Sequence, residues 1–224
     1  MKKIEVVQDV MSVNDTVAAT NRQLLDSHKV MAVNVMASPG AGKTSLIMAT
    51  ILRLRDKYDI AVMEGDVASS VDAEKMEGVA KAVIQVNTQY HSIACSLIAN
   101  VVNQTLPKLP LDDIDLLFIE NLGNLICPSR FLLGAHKRVV ITSLPEGDDK
   151  PIKYPLIFLN ADVVLINKMD FMPYVDFNMQ LFKETLLNLN PKLKIFEISC
   201  KTGSGLEEWC AWLEKETKNT IEVL

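Results

Sequence analysis

Residues 37–45 read ASPGAGKTS, two glycines followed at once by a Lys–Thr pair. This fits the phosphate-loop pattern GxxxxGK[ST], with Ala37 standing where the first Gly belongs. Gly40 and Gly42 let the chain curl so that the backbone N–H groups of the loop point inward at phosphate oxygens, with Ser38, Ala41 and Ser45 completing it. Lys43 can reach the β and γ phosphates, and the Thr44 hydroxyl can ligate Mg²⁺. Ala37 strains nothing if it still ends a strand, and would strain a turn that needs positive φ.

A second stretch, NKMD at 167–170, could read the base. The Asp170 carboxylate can accept hydrogen bonds from N1–H and the exocyclic amine of guanine, an edge that adenine lacks. Asn167 can bond the guanine carbonyl edge and the loop, while the aliphatic stem of Lys168 packs on the base. A site built around a buried carboxylate rejects a base that leaves it unpaired. SCKTGSG at 199–205 then offers Ser199, Cys200 and Lys201 as a base-capping loop, or an ordinary Gly-rich helix start.

Two further loops could sense the γ-phosphate. In EGDVASSVDAEK (64–75), Asp66 could bind Mg²⁺ directly or through water, and Asp72 could orient the attacking water or simply cap a helix. In FIENLGN (118–124), Glu120 takes the place of a Walker-B acid and Gly123 can offer a backbone N–H to the γ-phosphate. Asn124, not Gln, follows that Gly. The expected chemistry is slow GTP hydrolysis, as in a switch.

These loops need a scaffold that delivers them to one edge. Seven apolar runs, at 30–37, 59–65, 82–87, 114–121, 138–144, 161–167 and 193–199, read as strands. Helical patterns fill 43–57, 72–80, 90–105, 176–189 and 205–218, after an amphipathic leading helix at about 12–28 with Val17, Leu24 and Leu25 toward one side. Continuous apolar strands alternating with helices predict a doubly wound α/β fold, a mostly parallel sheet with helices on both faces. Ligands of such folds bind beyond the carboxyl ends of the strands, where the motifs fall. The 224 residues are expected to form a single domain, with 107–113 a linker loop. A net charge of −5 argues against a nucleic-acid or acidic-lipid partner. No run is long and apolar enough to span a membrane. Cysteines at 95, 127, 200 and 210, with no CxxC pair, suit a reducing compartment, and a cytoplasmic location is expected.

Together the segments SPGAGKTS, GDVASSVDAEK, IENLGNLICPSRF, EGDDKPIKYP, NKMD and SCKTGSGLEEWCAWL resemble one family, HypB, over about residues 12–214. HypB proteins are SIMIBI-class P-loop GTPases used in nickel delivery during [NiFe]-hydrogenase maturation. The resemblance implies a GTP-promoted homodimer that cycles between GTP and GDP, works with a metalloenzyme or fellow maturation proteins, and holds metal at or near the dimer interface. It also places Lys150 and Lys153 near the nucleotide or across the dimer, where composition alone would read loop charges. Cys127 matches a family cysteine.

One departure stands out. The family reads N-T-G-x-x-C-H after the third strand, and Ser92 and Ile93 occupy the Cys–His positions counted from Asn87–Thr88. His91 and Cys95 bracket the gap. If 90–105 is helical, they lie one turn apart and could join Cys127 around Ni²⁺ or Zn²⁺. Alternatively, Cys95 faces the core and His91 bonds locally. A GTP-dependent assembly factor that binds no metal, or a regulatory GTP-binding module, are the competing readings.

Overall fold

The structure, a computed structural model, describes residues 10–66, 76–88 and 95–223. Asp72, His91, Ser92 and Ile93 lie outside the described residues. The strands are β1 (Met31–Ala37), β2 (Ile60–Asp66), β3 (Ala82–Asn87), β4 (Leu116–Gly123), β5 (Lys137–Ser143), β6 (Val163–Asn167) and β7 (Lys194–Glu197). They form a seven-stranded sheet in the order β3-β2-β4-β1-β5-β6-β7, with every neighbouring pair parallel. All seven predicted runs are strands, because a strand covered on both faces must be apolar at every position.

Alternate residues of each strand feed opposite faces. Val33, Val35, Val62, Phe118, Val139 and Leu165 pack on α2 (Lys43–Leu54) and on α8 (Leu206–Val223). On the other face, Ala32, Met63, Leu117 and Ile119 pack on Leu25 of α1 (Val10–Ser27) and on Val101 and Val102 of α3 (Ala99–Thr105). Met36, Val140 and Val164 continue that face under α6 (Pro155–Leu159) and α7 (Met179–Leu189). The fully buried Trp209 ties α8 to α2, its indole N–H donating to Thr50 Oγ1 at 2.9 Å. Two short helices, α4 (Cys127–Arg130) and α5 (Lys150–Lys153), interrupt long loops.

Two expectations need correction. The inner stripe of α1 is Asn14, Ala18, Asn21 and Leu25, whereas Val17 and Leu24 are half-buried. The asparagines replace apolar packing with hydrogen bonds: Asn21 Nδ2 donates to the carbonyls of Ala99 and Leu133 at 2.9 and 3.0 Å. Of the helix expected over 90–105, the described residues 95–98 are not helical and a helix starts at Ala99, preceded by an extended Ile98. The Leu97 N–H finds its acceptor in the side chain of Asn121 at 3.1 Å, so this backbone is satisfied without a helical turn.

Candidate functional site

β1 runs to Ala37, which is fully buried and pairs with Gly123 at the end of β4. The position needs strand geometry, so Ala serves where a Gly was expected. Past it, Gly40 and Gly42 take φ of +76° and +107°. At Gly42 a side chain is excluded twice, by this φ and by Asn167, whose Nδ2 would lie 2.4 Å from a Cβ. Lys43, the first residue of α2, is half-buried and makes no ion pair among the described residues. Gly123 leaves little room for a side chain, since a Cβ there would lie 3.0–3.1 Å from atoms of Pro39, which would have to give way by a few tenths of an ångström. The end of β4 thus runs flush against the phosphate loop.

The three motifs meet around a cavity of about 410 Å³. Gly40, Gly42 and Ser45 line one side, Asn167, Lys168, Asp170 and Phe171 a second, and Cys200 and Lys201 a third. Asn167 is the joint. Its Nδ2 donates to the Ala41 carbonyl at 2.9 Å, and its Oδ1 accepts from the N–H groups of Lys168 and Cys200 at 2.8 and 3.2 Å. Its carbonyl oxygen is therefore spent on loop stapling, while the second N–H of Nδ2 is the donor that the guanine carbonyl edge would need. Lys168 sits in the left-handed region at φ +62° and donates from Nζ to the Gly40 carbonyl at 2.8 Å, so its stem spans the cavity edge. Ser38 contributes its carbonyl to Ala41 N–H at 3.4 Å.

Asp170 is held from one side. The Ser199 hydroxyl donates to Oδ1 at 2.6 Å, and the Lys201 ammonium stands 4.0 Å from Oδ2. Charge-assisted donors of this kind fix the carboxylate plane. Burial pushes the Cys200 thiol up to about 11, so it stays neutral as a small wall of the cavity. Phe171, 40% exposed on the rim, escaped the sequence reading. Its signal was an aromatic directly after Asp170, the residue expected to read the base.

A second cluster lies at the foot of α2. The Thr44 hydroxyl donates to Glu120 Oε1 at 2.8 Å. Glu120 is in register with Glu64 on the adjacent strand, and both are only 3% exposed. Paired positions of parallel strands lie about 4.8 Å apart and point the same way, so the two carboxylates stand side by side. Asp66, two residues beyond Glu64, projects from the same face. A hydroxyl with carboxylates is a hard-oxygen donor set, which fits Mg²⁺ and not a thiolate-loving ion. Glu64 was missed from sequence, although a charge inside a continuous apolar strand was the available signal.

Lys150 and Lys153 do not line the cavity. Lys150 Nζ stands 3.7 Å from Glu146 and 5.5 Å over the Tyr154 ring, and Lys153 pairs with Asp149. Cys95 and Cys127, by contrast, come close enough for each thiol to feel the other. Burial, then Cys95, raise the Cys127 pKa above the ordinary thiol value. Asn124 Oδ1 accepts from the N–H groups of Ile126 and Cys127 at 2.7 and 3.2 Å, which sets the start of α4. Cys95 lies on a turn, not on the expected helix. Among the described residues no three His, Cys, Asp or Glu side chains converge as metal ligands by themselves, Glu64, Asp66 and Glu120 included.

Residues 31–197 match the family model described as the CobW/HypB/UreG nucleotide-binding domain. The hydrogenase maturation factor HypB of Escherichia coli K12 is 40% identical over 96% of this chain and 73% of its own length. A probable HypB of Methanocaldococcus jannaschii is 41% identical over 96% of both chains.

The chain belongs to the HypB family.

The solved structures agree. HypB from Archaeoglobus fulgidus superposes with a TM-score of 0.85 at 39% identity, over 92% of this chain and 99% of that one. HypB from Helicobacter pylori in complex with nickel gives 0.85 at 32% identity, over 93% and 97%. The signal recognition particle receptor FtsY of Elizabethkingia anophelis, at 0.54 and 14% identity, shares the fold alone. GTP hydrolysis is the chemistry of the HypB family, and this chain is a P-loop GTPase of the same fold. Among the described residues no helix is long and apolar enough to cross a membrane.

Proposed function

We propose that this chain binds GTP with Mg²⁺ and that slow hydrolysis to GDP gates a homodimer which delivers nickel to a metalloenzyme such as [NiFe]-hydrogenase, in the cytoplasm. The observation that carries the nucleotide reading is Asp170, oriented by Ser199 in a cavity whose opposite wall is the phosphate loop. Guanine would place N1–H and its amine on the Asp170 carboxylate, above the Lys168 stem and beside Phe171. The N–H groups of residues 40–44 and the Lys43 ammonium would take the phosphates and the charge that develops on the transferred group. Thr44, Asp66 and Glu120, backed by Glu64, would hold Mg²⁺, which when bound neutralises β- and γ-phosphate oxygens. Asp72 is assigned to the attacking water on sequence grounds alone. Slow turnover fits Asn124, whose side-chain oxygen is engaged by Ile126 and Cys127 instead of a water.

Nickel enters as cargo. The Cys95–Cys127 pair offers two soft sulfurs, to which His91 could add an imidazole. Cys95 stands four residues before α3 (Ala99–Thr105). The nickel-bound Helicobacter pylori relative supports the assignment. Dimerisation is supported by Ile152, Leu156 and Leu159, exposed on α5 and α6 next to Lys150 and Lys153. A second copy covering that surface would receive both lysines.

The test is a Ni²⁺ titration of the GTP-loaded and GDP-loaded protein beside a Cys95→Ala, Cys127→Ala double variant. Tight binding that the variant loses is expected. Equal affinity in both proteins would leave a GTP-dependent assembly factor that holds no metal.

A further inference from the structure

A second cavity, of about 250 Å³, opens on the sheet face that α1 covers. Asn34 of β1 forms its floor, Ala18, Leu132 and Leu133 give it apolar walls, and two guanidinium groups, of Arg22 and Arg138, border it. Neither arginine makes an ion pair among the described residues. Arg22 donates to the carbonyls of Gly134, at 2.7 Å from Nε, and Ala135. Arg138 donates from Nη2 to the carbonyls of Pro128 and Ser129 at 3.3 and 3.1 Å, and its buried Nε–H has no partner. Asp26 and Asp162 act on Arg22, and Asp162 on Arg138, from beyond ion-pair distance, but burial outweighs them and leaves both guanidinium groups only partly compensated. The rim carries one exposed acid, Asp15, against the two cations.

We propose that this cavity binds a small organic carboxylate, its head group received by Arg22 and Arg138 and its short apolar body lodged against Ala18, Leu132 and Leu133. A guanidinium fork matches a carboxylate, and the volume falls below the usual several hundred Å³ of cofactor sites, so the ligand has only a few carbons. The cavity is also connected to both cysteine segments. Asn34 Oδ1 accepts from Asn121 at 3.2 Å, and Asn121 in turn holds the Leu97 N–H at 3.1 Å, two residues after Cys95. Arg138 grips the carbonyls of the two residues that follow Cys127. A carboxylate that turns Arg138 toward itself competes with those carbonyls and so shifts the thiol pair. Ligand binding itself does not depend on the nickel reading.

The experiment is isothermal titration of the full chain with succinate, with the neutral diamide succinamide and with inorganic phosphate. Two variants accompany it: Arg138→Gln, and Ala19→Trp, which blocks the cavity mouth from an exposed helix position and removes none of these bonds. Thermal melting checks that each variant folds. The proposal expects succinate binding that weakens at least about tenfold in Ala19→Trp, no succinamide binding, and a succinate-dependent change in the alkylation rate of Cys95 and Cys127 that the variant loses. Failure of succinate to bind at about 10 mM, binding of phosphate alone, equal binding of succinamide, or unchanged binding in folded Ala19→Trp would each overturn it.

Discussion

Gly42→Ala puts the joint between the phosphate loop and the base-reading loop under direct strain. The backbone at Gly42 sits at φ +107°, a region costing an L-residue at least about 1–2 kcal/mol. The new Cβ would also lie 2.4 Å from Asn167 Nδ2, well inside contact, so the amide must swing away. Swinging breaks its bond to the Ala41 carbonyl and disturbs the one to Cys200 N–H, leaving buried polar groups unmatched at about 1–3 kcal/mol. The sum, about 2–5 kcal/mol, corresponds to a loss of GDP affinity between about 30-fold and several thousand-fold if the loops fold only in the bound form. Calorimetric GDP titration reads it. In an Asn167→Ala background the steric part vanishes while the φ part persists, so the same substitution should cost about 1–3 kcal/mol less. Gly42→Ala binding GDP within about threefold of the parent, or costing the same in both backgrounds, would refute the reasoning.

Other outcomes follow from the scaffold. Trp209→Ala should destabilise the chain by about 3–5 kcal/mol in urea melts, because it empties a buried indole site and removes the bond to Thr50 Oγ1, which keeps only its own donation to the Leu46 carbonyl. His136 is held neutral, with burial and then Arg22 lowering its pKa; the Ala32 N–H donates to Nδ1 at 2.9 Å, and Nε2 faces Asp26 at 2.8 Å. Since the folded pKa lies below the unfolded value near 6.5, the unfolded chain takes up the proton first. Stability is therefore full above about pH 6.5 and falls as pH drops toward the lowered value, by at most about 1.4 kcal/mol per pH unit. Urea midpoints at pH 7.5 and 5.5 should diverge more for the parent than for His136→Gln, and parallel shifts would contradict this.

The strands and the nucleotide motifs were legible because each rests on a local rule: a two-sided strand is apolar throughout, and a phosphate loop needs its glycines where φ turns positive. What stayed hidden depends on partners distant in sequence. Apolar spacing at Leu97 and Ile98 imitates a helix, yet Asn121 satisfies the Leu97 N–H and the helix waits until Ala99. For the same reason Cys95 meets Cys127 from a turn, which no spacing rule predicts. Glu64 gained meaning only when strand order set β2 beside β4 and brought it opposite Glu120. That Asn167 also staples the phosphate loop to the Ser199–Cys200 loop was equally hidden, because its partners Ala41 and Cys200 are distant in sequence.

The central claim is that Asp170 makes this cavity a guanine site, and nucleotide competition tests it most directly. Two charge-assisted hydrogen bonds at about 1.5–3 kcal/mol each give a preference for GTP over ATP of at least about a hundredfold. Asp170→Asn should reverse the pattern, losing GTP and gaining xanthosine triphosphate, whose carbonyl accepts from the new amide. ATP displacing bound GDP as well as GTP does, or Asp170→Asn retaining GTP within about threefold, would contradict the account.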